Sequence, residues 1–132
     1  MTPSAAGKAG VVVYLPYYGL YSKIDLTKFD FSGIDVVNYS FLRLDDSGNA
    51  YSSDTDLENN WNGIGVVPYL NTVVKKKYPH LRTVISVGGA SGSKNWGTIL
   101  ASTRLTKNAV ESVISFCTKN GFDGVDLDWE CK

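Results

Sequence analysis

Four short apolar runs, rich in β-branched residues, recur along this 132-residue chain and constrain its fold more than any other feature. They cover residues 10–19, 34–42, 81–89 and 122–129. The first two show no alternation of apolar and polar side chains, which is typical of strands that are covered on both faces. We therefore predict four β-strands in a sheet that is buried between other elements.

Two segments between these runs have the spacing of an α-helix, with apolar side chains recurring at three- and four-residue steps. The first runs from about residue 65 to 78 and is closed by Pro79. The second covers roughly residues 104–120, with Gly121 as its C-terminal stop. Strands that alternate with helices predict an α/β fold with a parallel sheet, whose binding edge lies at the C-terminal ends of the strands.

The length of the chain suits one domain of ordinary size with a hydrophobic core. We divide it into a polar N-terminal tail, residues 1–9, and a single folded unit, residues 10–132. Within that unit, residues 43–61 are rich in Asp, Ser, Asn and Gly. They predict a polar, turn-rich loop that is longer than most connections in compact domains.

Charge and hydropathy exclude several classes of partner. Thirteen basic and thirteen acidic side chains cancel, so no net field attracts the chain to nucleic acid or to an anionic membrane surface. The apolar run from Val11 to Tyr18 is interrupted by Pro16 and is shorter than the about 20 residues that a membrane span requires. The N-terminus also lacks the order of regions of a signal peptide. We therefore expect binding through a shaped site.

The last apolar run carries acids at every second position. Because side chains alternate between the two faces of a strand, Asp126, Asp128 and Glu130 share one face. The apolar residues between them, Val125, Leu127 and Trp129, are expected to pack against the covering helices. In a row of carboxyl groups, like charge and burial raise the pKa of at least one, so a protonated and a charged acid can coexist near neutral pH. General acid catalysis requires that combination.

Two chemical interpretations of this row remain open at this point. One is general acid catalysis on a neutral substrate. The other is a divalent metal site for phosphoryl transfer, since carboxylates along a strand also suit Mg²⁺. The second lacks a phosphate-binding loop, and the glycine of a calcium loop would fall at Cys131. A solvated acidic edge, the structural alternative, does not explain the apolar residues behind the acids.

Two motifs resemble those of a known family. Residues 123–130, Asp-Gly-Val-Asp-Leu-Asp-Trp-Glu, resemble the Asp-x-x-Asp-x-Asp-x-Glu signature of glycoside hydrolase family 18, which comprises chitinases and related endo-N-acetylglucosaminidases. Residues 86–89, Ser-Val-Gly-Gly, resemble the family's Ser-x-Gly-Gly motif on the preceding strand, and residues 38–41 its second strand. The resemblance extends over roughly residues 10–130. It implies a (β/α)8 barrel, of which residues 10–132 form the N-terminal half of the catalytic domain.

The resemblance implies a role for each acid. Glu130 is the general acid that protonates the leaving glycosidic oxygen. Asp128 orients the N-acetyl group of the substrate, whose carbonyl oxygen attacks the anomeric carbon, and Asp126 tunes Asp128 by sharing a proton or a hydrogen bond. No cofactor, metal or protein nucleophile is needed. Asp123 lies an odd number of residues from these acids, so its side chain points to the other face of the strand, and it is expected to support the start of the strand.

Six further residues complete the expected site. Ser86 supports the acids by hydrogen bonding, and Gly88 and Gly89 permit close approach of the chain. Three aromatic side chains are candidates for contact with sugar rings: Tyr14, Phe41 and Trp96. A packed core is an equal alternative for Tyr14 and Phe41.

The function implied by the resemblance is that of a chitinase-like glycosidase. It hydrolyses β-1,4 linkages of N-acetylglucosamine polymers by a substrate-assisted, retaining mechanism, with chitin or its oligosaccharides as partner. Members are often secreted. They usually continue after Trp-Glu with Tyr-Pro, whereas Cys131 and Lys132 follow here. Because the chain supplies four of the eight strands, we expect weak or no turnover by the isolated chain. The alternative is a non-catalytic, carbohydrate-binding role. We also expect self-association through the open edges of the sheet.

Overall fold

The computed structural model describes residues 10–21 and 23–130, so the predicted tail, residues 1–9, and Cys131 lie outside the described residues. The strands are β1 (Val12–Pro16), β2 (Val36–Leu44), β3 (Ala50–Ser52), β4 (Arg82–Gly88) and β5 (Gly124–Asp128). The helices are α1 (Thr55–Asn60), α2 (Val66–Pro68), α3 (Lys75–Lys77), α4 (Trp96–Leu100) and α5 (Thr103–Lys119). A π-helical segment, Tyr69–Val74, joins α2 to α3, and 3₁₀ turns cover Tyr17–Tyr21 and Trp61–Gly63.

The sheet is parallel, as the alternation of strands and helices predicts. Its strands follow the order β1-β2-β4-β5, and each neighbouring pair is parallel. The short β3 pairs antiparallel with β2. This is the architecture of a partial (β/α) barrel, which confirms the predicted fold class. None of the described helices has the length and the apolar character that crossing a membrane requires.

The polar segment over residues 43–61 is more structured than predicted, because it contains β3 and α1. Asp45 forms the turn before β3, since its Oδ1 accepts hydrogen bonds from the amides of Ser47 and Asn49 at 2.9 and 2.8 Å. Asp54 is the N-cap of α1 and accepts from the amide of Leu57 at 2.9 Å. The polar residues that indicated a loop therefore act as a turn former and a helix cap.

The hydrophobic core lies between the convex face of the sheet and the helices. Alternate residues of the central strands point into it, and Val37 and Tyr39 of β2 and Ile85 of β4 are completely buried there. Leu70 of the π-helical segment and Ile99 of α4 belong to the same core and are 0% and 1% exposed. The other face of the same strands is concave and carries polar residues, so the sheet separates core from site.

The convex face of β5 is less covered than predicted. Val125, Leu127 and Trp129 expose 38%, 70% and 48% of their surface, so the helices leave them more exposed than the expected packing against those helices predicts. Helix α5 crosses from β4 to β5 and therefore shields β5 from one side only. The three residues form one wall of an open apolar groove of about 420 Å³, which α4 and α5 border on the other side.

This difference in burial predicts a difference in stability between two neighbouring strands. Ile85→Ala should lower the free energy of unfolding by about 2 to 5 kcal/mol, because it removes a fully enclosed side chain. Leu127→Ala should cost less than about 1 kcal/mol, because most of that side chain is already in water. Urea denaturation followed by circular dichroism measures both. Equal losses would contradict the described packing of β5.

Candidate active site

A row of polar side chains crosses the concave face near the C-terminal ends of the strands. The register places Ser40 of β2 beside Ser86 of β4, and Ser86 beside Asp126 of β5. Both serines are completely buried, and Asp126 is half-buried. In-register parallel pairing therefore brings the serine of the Ser-x-Gly-Gly motif next to an acid of the C-terminal motif.

Two hydroxyl groups hold the carboxylate of Asp126. Ser86 Oγ donates to its Oδ2 at 2.7 Å, and the Tyr14 hydroxyl donates to the same oxygen at 3.0 Å. Tyr14 lies on β1, three strand spacings from β5, which is about 14 Å across a flat sheet. A tyrosine side chain cannot span that distance. The hydrogen bond between Tyr14 and Asp126 therefore requires the sheet to curve around its concave face, as strands do in a barrel.

The phenol of Tyr14 stays a hydrogen-bond donor in this setting. A hydrogen bond with Asn38 favours ionisation, but the hydrogen bond to Asp126, partial burial and the charges of Asp126 and Asp128 outweigh it and raise the pKa of Tyr14 above its ordinary 10.0. Asn38 was not among the expected site residues. A polar side chain in an otherwise apolar, buried strand was the signal that could have identified it.

The two glycines of the Ser-x-Gly-Gly motif adjoin the end of β5. Gly88 has a φ of +112°, and a Cβ atom there would lie 2.3 Å from the carbonyl oxygen of Asp128. The amide of Gly89 donates to that same oxygen at 2.9 Å. A Cβ atom on Gly89 would meet the ring of Phe41 at 2.9 Å, so this half-buried ring covers the motif. Only residues without side chains allow β5 to approach this closely.

Glu130 lies two residues beyond β5 and is exposed. Its amide donates to Ser93 Oγ at 3.2 Å, and the residue borders a depression of about 530 Å³ together with Ser91, Lys94 and Trp129. Within residues 10–21 and 23–130, its carboxylate forms no hydrogen bond with Asp126 or Asp128. The predicted row thus consists of two acids on the strand and a third on the segment that follows.

Asp123 is tied to the opposite end of β5. Its Oδ2 accepts from Lys75 Nζ at 2.8 Å and from the Thr83 amide at 2.9 Å. Partial burial opposes ionisation, but these hydrogen bonds and the charge of Lys75 outweigh it and lower the pKa of Asp123 below its ordinary 3.8. The carboxylate connects the start of β5 to β4 and to α3.

Trp96 lies apart from the acids. It is the first residue of α4, and its buried ring packs against Trp129 with a centroid distance of 6.1 Å. Both rings border the apolar groove on the convex side. The structure therefore brings Tyr14, Ser86 and Asp126 together, places Phe41 over Gly89, and leaves Trp96 on the other side of the sheet.

The close approach of β4 and β5 predicts that Gly88 cannot be replaced without loss of stability. Gly88→Ala should lower the free energy of unfolding by at least about 2 kcal/mol, because it adds backbone strain and a clash with Asp128. Gly97→Ala is the matched control: its Cβ would meet no atom within 4 Å, and alanine favours the helix there. Thermal unfolding compares the two variants. A Gly88→Ala protein as stable as the control would contradict this geometry.

The environment of Asp123 predicts a pH-dependent contribution to stability. Because the pKa is lowered on folding, the contribution is complete above the ordinary value of 3.8 and is lost as the pH falls through the lower folded value. Asp123→Asn should therefore destabilise the protein at pH 7 by under about 1 kcal/mol, since the pair with Lys75 is partly exposed. Urea midpoints at pH 7 and pH 2.5 should show the difference shrinking in acid; a constant difference would refute the charge effect.

Comparison with known proteins places this chain in a family. The family model described as Glycosyl hydrolases family 18 matches residues 10–132. Endochitinase 1 of Metarhizium anisopliae is 30% identical over 130 residues, which covers 89% of this chain and 31% of the fungal protein. Probable chitinase 2 of Drosophila melanogaster is 35% identical over 120 residues, which covers 89% of this chain and 24% of the insect protein.

Solved structures show the same relationship. Chitinase ChiA74 from Bacillus thuringiensis has a TM-score of 0.84 and 25% identity, covering 92% of this chain and 27% of its own. The Ostrinia furnacalis Group IV chitinase in complex with allosamidin has a TM-score of 0.83 and 25% identity, covering 93% of this chain and 33% of its own. The chain thus spans a third or less of the length of these relatives. The family match over residues 10–132 and the shared barrel architecture show that the chain belongs to glycosyl hydrolases family 18.

Proposed function

We propose that this chain carries the acid-bearing part of a chitinase active site, which hydrolyses β-1,4 bonds between N-acetylglucosamine units. The observation that carries the proposal is the hydrogen-bonded group of Tyr14, Ser86 and Asp126 on the concave face. It lies at the C-terminal ends of parallel strands, where barrel enzymes carry their catalytic groups. The relatives named as chitinases support chitin as the substrate.

In this proposal, Asp126 is a fixed acceptor. Two hydroxyl groups on Oδ2 hold its carboxylate in one orientation. Asp128 follows on the same face, with Cα atoms about 6 to 7 Å apart. A hydrogen bond shared with the immobilised Asp126 would therefore set the orientation of Asp128. Tyr14 and Ser86 act on the reaction indirectly, through the position of Asp126.

The proposed reaction uses a group of the substrate as the nucleophile. Asp128 orients the N-acetyl group, and the acetyl carbonyl oxygen attacks the anomeric carbon as the glycosidic bond breaks. Glu130 donates its proton to the leaving oxygen, which departs as a sugar hydroxyl. Glu130 then removes a proton from a water molecule that opens the oxazolinium intermediate, so the anomeric configuration is retained. No covalent bond to the protein forms.

The proposed ligand is an oligosaccharide of N-acetylglucosamine. The solved insect chitinase was obtained with allosamidin bound, and this chain exposes the aromatic ring of Tyr14 beside the acids. Phe41 offers a second, half-buried aromatic surface above Gly89. Aromatic faces pack well on amphipathic ligands such as sugar rings. The concave face therefore supplies both apolar area and acids to one ligand.

The proposal predicts that Glu130→Gln abolishes hydrolysis but preserves binding. In the complete gene product, kcat on chitotetraose should fall at least about a hundredfold, because an amide cannot donate the acid's proton. Calorimetry should show an unchanged Kd for the same oligosaccharide. Glu111→Gln is the matched control, since Glu111 is an exposed acid on α5 that pairs with Lys107 on the same helix. Wild-type turnover by the Glu130 variant would refute the assigned role.

The same assays separate the proposal from its alternative. Binding of chitotetraose without hydrolysis by the unmodified protein would favour a carbohydrate-binding role over catalysis. We also propose that the chain self-associates through the outer edges of β1 and β5, the terminal strands of the parallel sheet, which pair with no further strand of the described residues. Sedimentation velocity tests that association. A purely monomeric chain at micromolar concentration would contradict it.

A further inference from the structure

A single serine hydroxyl connects the two motifs that form the site. Ser93 Oγ lies 2.8 Å from the carbonyl oxygen of Gly89, 3.0 Å from that of Asp128 and 3.2 Å from the amide nitrogen of Glu130. A hydroxyl group has one proton to donate and lone pairs to accept. Ser93 therefore accepts from the Glu130 amide and donates to one of the two carbonyl groups. We call this arrangement the Ser93 clamp.

The loop that carries Ser93 is held firmly on its own side. The amide of Gly92 donates to the Gly89 carbonyl at 3.2 Å, and the Trp96 amide donates to the Ser93 carbonyl at 3.2 Å. A Cβ atom on Gly92 would lie 2.1 Å from the Gly88 carbonyl oxygen, so the turn admits only glycine. Ser93 itself is 4% exposed. The Ser93 hydroxyl of the clamp is therefore held in a fixed position.

Glu130, in contrast, lies beyond the end of the strand ladder. The ladder between β4 and β5 ends where Gly88 pairs with Asp128. Past that pair, among the residues that the structure describes, the Glu130 amide is held by the Ser93 hydroxyl. The Ser93 hydroxyl therefore fixes the main chain of Glu130 at its amide, next to Trp129, whose ring packs against Trp96.

We propose that Ser93 is a positioning residue that sets the main-chain position of Glu130. The inference rests on the proposed function, in which Glu130 donates a proton to the glycosidic oxygen. Proton transfer requires donor and acceptor at hydrogen-bond distance, and a displacement of about 1 Å can cost about a hundredfold in rate. Ser93 does not touch the substrate in this scheme and acts only through the main chain of Glu130.

The test compares Ser93→Ala with Ser93→Thr, which retains a hydroxyl, in the complete gene product. Ser93→Ala should lower kcat on chitotetraose about ten- to a hundredfold and leave KM within about twofold, because the Gly89 amide still holds the Asp128 carbonyl and Glu130 alone is displaced. Ser93→Thr should restore most of kcat. Ser112→Ala is the matched control, since the Ser112 hydroxyl on α5 also accepts from a main-chain amide, that of Ala50 at 2.7 Å, and lies outside the candidate site. A normal kcat in Ser93→Ala would overturn the proposal.

A second measurement does not depend on turnover. Amide hydrogen exchange at Glu130, followed by NMR, should be at least about tenfold faster in Ser93→Ala, because a hydrogen-bonded amide becomes accessible to water. Exchange at Val87, inside the β4 ladder, should not change. If the unmodified protein hydrolyses nothing, the proposed function fails, and exchange at Glu130 still decides on the clamp: faster exchange supports it, and unchanged exchange overturns it.

Discussion

The in-register parallel contact between β4 and β5 is the interaction on which the candidate site depends. It pairs Ser86 with Asp126 and Gly88 with Asp128, so each half of one motif meets a defined residue of the other. The approach is close enough that Gly88 has no room for a Cβ atom. A shift by one residue would turn the acids to the convex face. Register, rather than the presence of acids, therefore creates the site.

The hydrogen bond from Tyr14 to Asp126 connects the two edge strands of the parallel sheet across its concave face. It can form only because the four strands already curve. Curvature concentrates polar groups of β1, β2, β4 and β5 in one place, while the convex face receives the helices and the core. The two faces of β5 thus differ: the concave face carries Asp126 and Asp128, and the convex face carries apolar residues.

A loop, rather than a neighbouring strand, positions the third acid. Glu130 lies outside the ladder, and the buried Ser93 of the loop between β4 and α4 holds its amide. The same hydroxyl is within hydrogen-bond distance of main-chain oxygens in both motifs. Family 18 chemistry in this chain, as we propose it, therefore depends on a strand for two acids and on a loop for the third.

The apolar pattern by itself determined the order of strands and helices, the parallel sheet and the acid-bearing face of β5, because residue spacing alone dictates which side chains share a face. The family followed from two motifs on consecutive strands. The sequence by itself did not indicate a site role for Asn38 or Ser93, because Asn38 interacts with Tyr14, 24 positions away, and Ser93 with Glu130, 37 positions away. Nor did it show that α5 leaves Leu127 uncovered, or that the ring of Trp96 packs on the convex side. Those features were decided only by the tertiary structure, since register, curvature and loop position arise when distant segments pack together.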